Sequence, residues 1–421
     1  VLNDQEAAAL AAIDEDAVGR TLQELIAIPS VTGSAAESEM QHHLAGRLER
    51  LGLETDLWSM DLPALYAHPD FPGREAPREE AWGLVGRSGD GGDGPTLILQ
   101  GHVDVVPPGD LAAWAGDPFV PRVTGDVVHG RGACDMKAGL VAHLAALAAI
   151  RAAGVRLRGR VAVHFVVGEE DGGLGTFGTL RRGHGGDACL IAEPTAGTVI
   201  TANAGALTFR LTVPGKAAHA SSREAGVSAI DAYLPLHRAL ARLEEARNHA
   251  PDPLLAEYPI PYSLSVGTLR CGDWASSVPD LLVAEGRLGV RLGEDPAQAR
   301  AELERCVAEA CAADPWLREH PATVGWPGGQ FASGRLPAGH PLGDTVAGAY
   351  ADATGGPRPR ERGATYGSDL RLYAAAGIPA LQFGPGDIAV AHSAQEHVSV
   401  REVVAAARTV VLTVLRTVGT K

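Results

Sequence analysis

The polar residues that could do chemistry gather where apolar runs end. His102 and Asp104 stand two apart just after Thr96-Leu-Ile-Leu, and in extended backbone such a pair faces one side. Asp135 opens an Ala/Leu-rich stretch within Gly130-Arg-Gly-Ala-Cys-Asp-Met-Lys-Ala-Gly. Glu169 and Glu170 follow Val161-Ala-Val-His-Phe-Val-Val, Glu193 follows Ala188-Cys-Leu-Ile, and His392 lies in Ala391-His-Ser-Ala-Gln-Glu. Taken singly, each has an ordinary explanation: a surface His-Asp pair, an Asp capping a helix, exposed glutamates, a lone histidine. Taken together they form a nitrogen and oxygen donor set without thiolate, which suits Zn²⁺, with Mn²⁺ or Co²⁺ as substitutes. Two histidines, a bridging Asp and two terminal Glu suffice for two cations, with one Glu spare as a general base for an attacking water. The other histidines, among them His42, His43, His129, His143, His164 and His397, read as structural, with His397 at the start of the last helix.

These residues need a scaffold that brings strand ends together. Apolar strands alternate with helices, including an Ala/Leu-rich helix over about Lys137 to Ala153 and a late strand, Pro379-Ala-Leu-Gln-Phe, running into Gly384-Pro-Gly. This alternation predicts an α/β fold with a mostly parallel sheet flanked by helices, which places ligands at the carboxyl ends of the strands. The first fifty residues read as helical, Asp61 to Gly94 as a surface excursion, and Gly89 to Gly94 as a loop. From about Ala204 to Ala332 the pattern changes. An alternating strand (Leu207 to Val213), a helix (Val227 to Ala246), strands at Tyr262 to Leu269 and Leu281 to Leu292 and a helix (Pro296 to Ala312) predict an inserted α+β unit with a one-sided antiparallel sheet. The expected organisation is a catalytic domain in two parts, 1–203 and 333–421, split by an inserted domain at 204–332.

Composition excludes some classes. The 421 residues carry 36 Lys+Arg against 51 Asp+Glu, a formal charge of −15, which opposes general binding of nucleic acid or anionic membrane. Five scattered cysteines without a CxxC pair point to a reducing compartment. With no basic and apolar leader at Val1 and no apolar run read as approaching the ~20 residues of a membrane span, the expectation is a cytoplasmic protein.

The motifs Gly101-His-Val-Asp-Val-Val-Pro, Gly130-Arg-Gly-Ala-Cys-Asp-Met-Lys-Ala-Gly, Glu169-Glu170, Ala192-Glu-Pro and Ala391-His-Ser-Ala-Gln-Glu resemble, in order and over about Leu22 to Val404, the M20 family of metallopeptidases and deacylases. That group includes acetylornithine deacetylase, succinyl-diaminopimelate desuccinylase, aminoacylase 1 and glutamate carboxypeptidase. The resemblance implies two zinc ions per subunit, one held by His102, Asp135 and Glu193, the other by Asp135, Glu170 and His392. Asp104 would orient His102, and Glu169 would be the base. A cis peptide is implied at Asp135-Met136. The inserted unit resembles the family's lid and dimerisation domain, with Val213-Pro-Gly-Lys-Ala-Ala-His-Ala-Ser matching its histidine motif, so that His219 would stabilise the oxyanion and the chain would form a homodimer. Five of the acids (Asp104, Asp135, Glu169, Glu170, Glu193) would then surround about +4 of metal charge.

Most of the family recognises a free carboxylate on the amine-side product. The cations available for it are Arg287 and Arg291, four apart on a predicted strand, and Arg371 after Gly367-Ser-Asp-Leu. Gly384 and Gly386 resemble the family's substrate loop, whose backbone N–H groups can cradle a carboxylate, and Asn203 is a further candidate. Each Arg also reads as a solvated surface charge. Ser277 stands in Trp274-Ala-Ser-Ser-Val-Pro where several relatives have Asn, which removes one expected side-chain contact. The expected activity is hydrolysis of a small-molecule N-acyl amino acid. The alternatives are a dipeptidase or carboxypeptidase acting on a peptide with a free carboxylate, and a non-catalytic ligand-binding member, against which the complete ligand set and Glu169 argue.

Overall fold

A computed structural model describes residues 2–88 and 92–421; of the stretch read as a glycine-rich loop, 89–91 lie outside the described residues. The chain forms two compact units. One comprises 1–202, 335–362 and 369–421, and the other 203–334 and 363–368. The return of Gly363–Ser368 to the second unit has no counterpart in the sequence reading.

In the first unit a twisted sheet runs Leu53–Ser59, Trp82–Ser88, Arg160–Val166, Thr96–His102, Ala188–Ile191, Ala380–Gln382, Val199–Asn203. The four strands from Arg160–Val166 to Ala380–Gln382 pair parallel, and those outside them antiparallel. Helices flank the sheet. Glu15–Ile26 buries Val18, Leu22, Leu25 and Ile26, a spacing of one helical stripe, and Asp14 caps it by accepting from Ala17 N. The central helix Ala138–Ala152 is buried on nearly every side, packed against Val400–Val418, Glu15–Ile26 and Asp4–Ala11. With the turn before it, Ala133–Ala152 is long and apolar enough to cross a membrane, contrary to the sequence reading; its burial makes it a core helix.

Two further expectations are corrected. The stretch from Asp61 to Gly94 holds a helix, Leu62–Tyr66, and the sheet strand Trp82–Ser88, whose Leu84 and Val85 are buried. Only two aliphatics between Gly83 and Gly86 leave little strand signal in sequence. His397 begins a short strand, His397–Ser399, paired with Val127–His129, and the last helix starts after it.

The second unit is an antiparallel sheet in the order Leu264–Cys271, Leu281–Val290, Gly205–Pro214, Thr323–Gly325. Leu207, Phe209, Leu211 and Val213 alternate inward against the helices Ala229–Arg247 and Pro296–Ala313, as a one-sided sheet requires.

Candidate active site

Strand register assembles the site. His102 pairs with Val166, and Gln100 with both His164 and Ile191. The residues that follow these strands, Glu169, Glu170 and Glu193, therefore leave the sheet at the edge where His102 sits, the carboxyl end of adjacent parallel strands. Asp135 comes from the irregular turn Ala133–Lys137 at the entry of the central helix, where the Asp135–Met136 peptide is cis. His392 comes from a late loop and holds a left-handed backbone, φ +58°, a conformation that costs a β-carbon-bearing residue on the order of 1 kcal/mol or more and clusters at functional sites.

Asp135 lies between the two histidines. Its Oδ1 is 3.1 Å from His102 Nε2, and its Oδ2 is 3.2 Å from His392 Nε2. Glu193 Oε1 approaches His102 Nε2 at 3.7 Å, and Glu170 Oε1 approaches His392 Nε2 at 3.1 Å. Donor atoms of His102, Asp135 and Glu170 lie within 4.8 Å of one another, as do those of His102, Glu169 and Glu193. His102 Nδ1 is 2.9 Å from the main-chain carbonyl of Asp104, and 3.6 Å from its carboxylate. The contact of Nδ1 with that carbonyl fixes the ring so that Nε2 is directed at the cluster. The Asp104 carboxylate instead accepts from Glu169 N, Glu170 N and Thr32 Oγ1, a role the sequence did not disclose.

The electrostatics call for positive charge. Burial, then Asp369 and Glu193, push Glu169 well above the usual carboxylate range. Burial and Asp135 push Glu170 up to about 7 against the pull of His392, and burial raises Glu193. Burial also acts to raise Asp135, but hydrogen bonds from both imidazoles hold it below the ordinary range. Hydrogen bonds to Asp135 and Glu170 push His392 up to about 10, and His102 is raised against the opposing effect of burial by Glu193 and Asp135. Carboxylates converging on two imidazoles in a buried site thus favour positive charge, and the donor set fits divalent metal.

Several residues of the site were not singled out from sequence. Glu396, 1% exposed, accepts from Cys134 N and Asp135 N at 3.1 Å each and pairs with Arg131 at 2.5 Å. It stands in the motif that contains His392, which was the available signal. Glu396→Ala is expected to lower stability by about 3–5 kcal/mol, because buried Arg131 loses its partner and two N–H groups lose their acceptor; denaturant unfolding of the metal-loaded protein measures it. Asp369, fully buried, accepts from Thr176 Oγ1 at 2.6 Å and Gln100 Nε2 at 3.0 Å; it sits in the Gly367-Ser-Asp-Leu run that pointed to Arg371. Buried His143 and His164 contact the Gln100 carbonyl and the Tyr373 hydroxyl, as structural histidines do.

The proposed substrate contacts divide. Arg371, on the helix Leu370–Ala375, is buried and donates to Gly172 O at 2.6 Å. Gly384 N donates to Thr195 Oγ1 and its carbonyl accepts from Thr195 N; a Cβ there would lie 2.2 Å from Ala192 O, so only glycine permits the approach. Gly386 O accepts from Ala196 N. This loop therefore braces the segment that carries Glu193. In the second unit, Arg287 donates to Ser263 Oγ and Thr365 O, and Asn203 donates to Tyr366 O. Arg291 is corrected: the strand ends at Val290, and the Arg291 guanidinium pairs with Glu294 and Glu302. His219 is exposed, with Nδ1 2.7 Å from Ser221 Oγ.

An α/β scaffold that converges two imidazoles and several carboxylates on the carboxyl edge of a parallel sheet defines a metal-dependent enzyme. The model of peptidase family M20/M25/M40 matches residues 98–416, and the chain belongs to that family, as a metal-dependent hydrolase. An N-formyl-4-amino-5-aminomethyl-2-methylpyrimidine deformylase of Halalkalibacterium halodurans is 28% identical over 407 residues, covering 91% of this chain and 90% of that protein. A succinyl-diaminopimelate desuccinylase of Leptothrix cholodnii is 35% identical over 277 residues, with coverage of 63% and 66%. In fold, the chain is similar to an M20 family metallo-carboxypeptidase of Sulfolobus solfataricus, with a TM-score of 0.77, 15% identity and coverage of 94% and 98%.

Proposed function

We propose that this chain hydrolyses the amide bond of N-acyl amino acids with two zinc ions per subunit, for which Co²⁺ or Mn²⁺ can substitute. The observation that carries this is Asp135, with one oxygen toward His102 and the other toward His392, flanked by Glu193 and Glu170. His102, Asp135 and Glu193 would hold one ion, and Asp135, Glu170 and His392 the other. When bound, the ions supply Lewis-acid polarisation of the scissile carbonyl and acidify water. Glu169 takes the proton of the attacking water and delivers it to the leaving amine. Its Oε1 is buried and, among the described residues, makes no hydrogen bond, which leaves it free for a proton. Asp104 holds the backbone of Glu169 and Glu170 and the ring of His102. His219 is proposed to stabilise the oxyanion, and Arg287, Asn203 and Arg371 to serve the substrate carboxylate directly or by support. The exposed edge strand Leu264–Cys271, with Leu269 outward, supports a homodimer through the second unit, and five unpaired cysteines support a cytoplasmic setting.

A second reading is hydrolysis of a small N-formyl amine. It is favoured by the near-full-length likeness to a deformylase and by the engagement of Arg291 with glutamates. A screen over N-acetyl-, N-succinyl- and N-formyl-amino acids, N-formyl aminomethylpyrimidines and dipeptides, with Zn²⁺, Co²⁺ or Mn²⁺ supplied, separates the readings. Failure to bind metal or to hydrolyse any of these would overturn both.

A further inference from the structure

Around the turn that carries Glu169 and Glu170 lies a buried ion cluster that plays no part in the chemistry above. Arg78 comes from the stretch before the strand Trp82–Ser88, Glu37 from the helix Ala35–Arg50, and Asp171 from the end of the turn itself. The three side chains are 0%, 3% and 6% exposed. The guanidinium forks onto both carboxylates: Nε and Nη2 lie 3.1 and 3.3 Å from Glu37, and Nη1 and Nη2 lie 3.0 and 3.1 Å from Asp171. Glu37 in turn accepts from Gly168 N at 3.0 Å and Gly33 N at 2.7 Å, and Asp171 accepts from Ala76 N at 3.0 Å. Gly168 has φ +64°, and a Cβ on it would lie 2.7 Å from Arg78 Nη2, so the guanidinium packs directly on the turn.

Four consecutive residues are thereby pinned. Glu37 takes the N–H of Gly168, Asp104 takes those of Glu169 and Glu170, and Arg78 takes the side chain of Asp171. Burying three charges is a poor route to stability, since apolar side chains of similar volume commonly serve as well or better. A forked guanidinium does fix geometry, which a lysine point charge does not. We propose that Arg78, held by Glu37 and Asp171, is a positioning residue that sets where the Glu169 and Glu170 carboxylates stand. This rests on the roles proposed for those two residues.

The test is Arg78→Lys in the full chain, loaded with Co²⁺ and challenged with a chelator, read by the visible absorption of bound cobalt, by kcat and KM on a substrate from the screen, and by melting temperature. The unaltered protein is expected to retain two equivalents. The variant is expected to release one of them at least tenfold more readily and to lose tenfold or more in kcat with KM within twofold. A folded variant that holds both equivalents and turns over normally overturns the proposal, as does one that only melts earlier. If Arg78→Lys does not fold, Glu37→Gln, which leaves Arg78 on Asp171, is read by the same criteria. Failure of the unaltered protein to bind cobalt would instead bring down the functional reading, and the positioning role with it.

Discussion

Glu169→Ala is expected to lower kcat by about 10³-fold, within the range a positioned general base contributes, while the protein keeps its metal. The two adjacent glutamates are distinguished by their surroundings. Glu170 Oε1 is in contact with His392 at 3.1 Å, a ligand's position. Glu169 is 6% exposed, and its Oε1 has no hydrogen-bond partner among the described residues. Burial and the charges of Asp369 and Glu193 raise its affinity for a proton, which suits a group that must accept one and then return it to an amine. Metal content by elemental analysis, together with kcat on a substrate from the screen, decides the matter. Turnover within tenfold of the unaltered protein removes Glu169 from the base role. Loss of metal would make it a ligand instead.

Asp135→Ala is expected to abolish both tight metal binding and activity, with kcat reduced by about 10⁴-fold or more. The other proposed ligands each serve one side, whereas Asp135 faces both histidines. Without it, His102 and His392 lose the carboxylate between them, and both proposed sites lose the ligand they share. The same substitution should erase the effect of metal on stability. An ion at a thousandfold excess over its Kd stabilises the folded state by about 4 kcal/mol, so the unaltered protein should melt several degrees lower after chelation and the variant should not respond. Two retained equivalents in Asp135→Ala would mean that the bridge is elsewhere.

Much of the site was readable because its residues sit at the ends of recognisable elements. Apolar runs ending in His102, Glu169-Glu170 and Glu193 carry their strand signature in adjacent residues, and the motifs around Asp135 and His392 carry the family resemblance. What could not be read was which polar groups are already engaged. Arg291 reads as available because the apolar pattern of the strand continues to Leu292; the strand instead ends at Val290, and Glu302 reaches Arg291 from the helix Pro296–Ala313. Gly384 looked like a free backbone donor, yet its N–H is taken by Thr195. Glu396 stood within a motif already singled out, but its contact with Asp135 N spans 261 positions and leaves no local pattern.

The sequence by itself determined the α/β class and the strand ends at which the polar clusters fall, because periodicity and strand ends are properties of neighbouring residues. The tertiary structure alone decided how those donors meet. Parallel register brings three strand ends level, the turn before the central helix lifts Asp135 between two histidines, and Arg78 ties Glu37 to Asp171 across 41 and 93 positions. The physical reason is that a buried charge must find its counter-charge wherever the fold supplies it, and that pairing is set by packing in space rather than by distance along the chain.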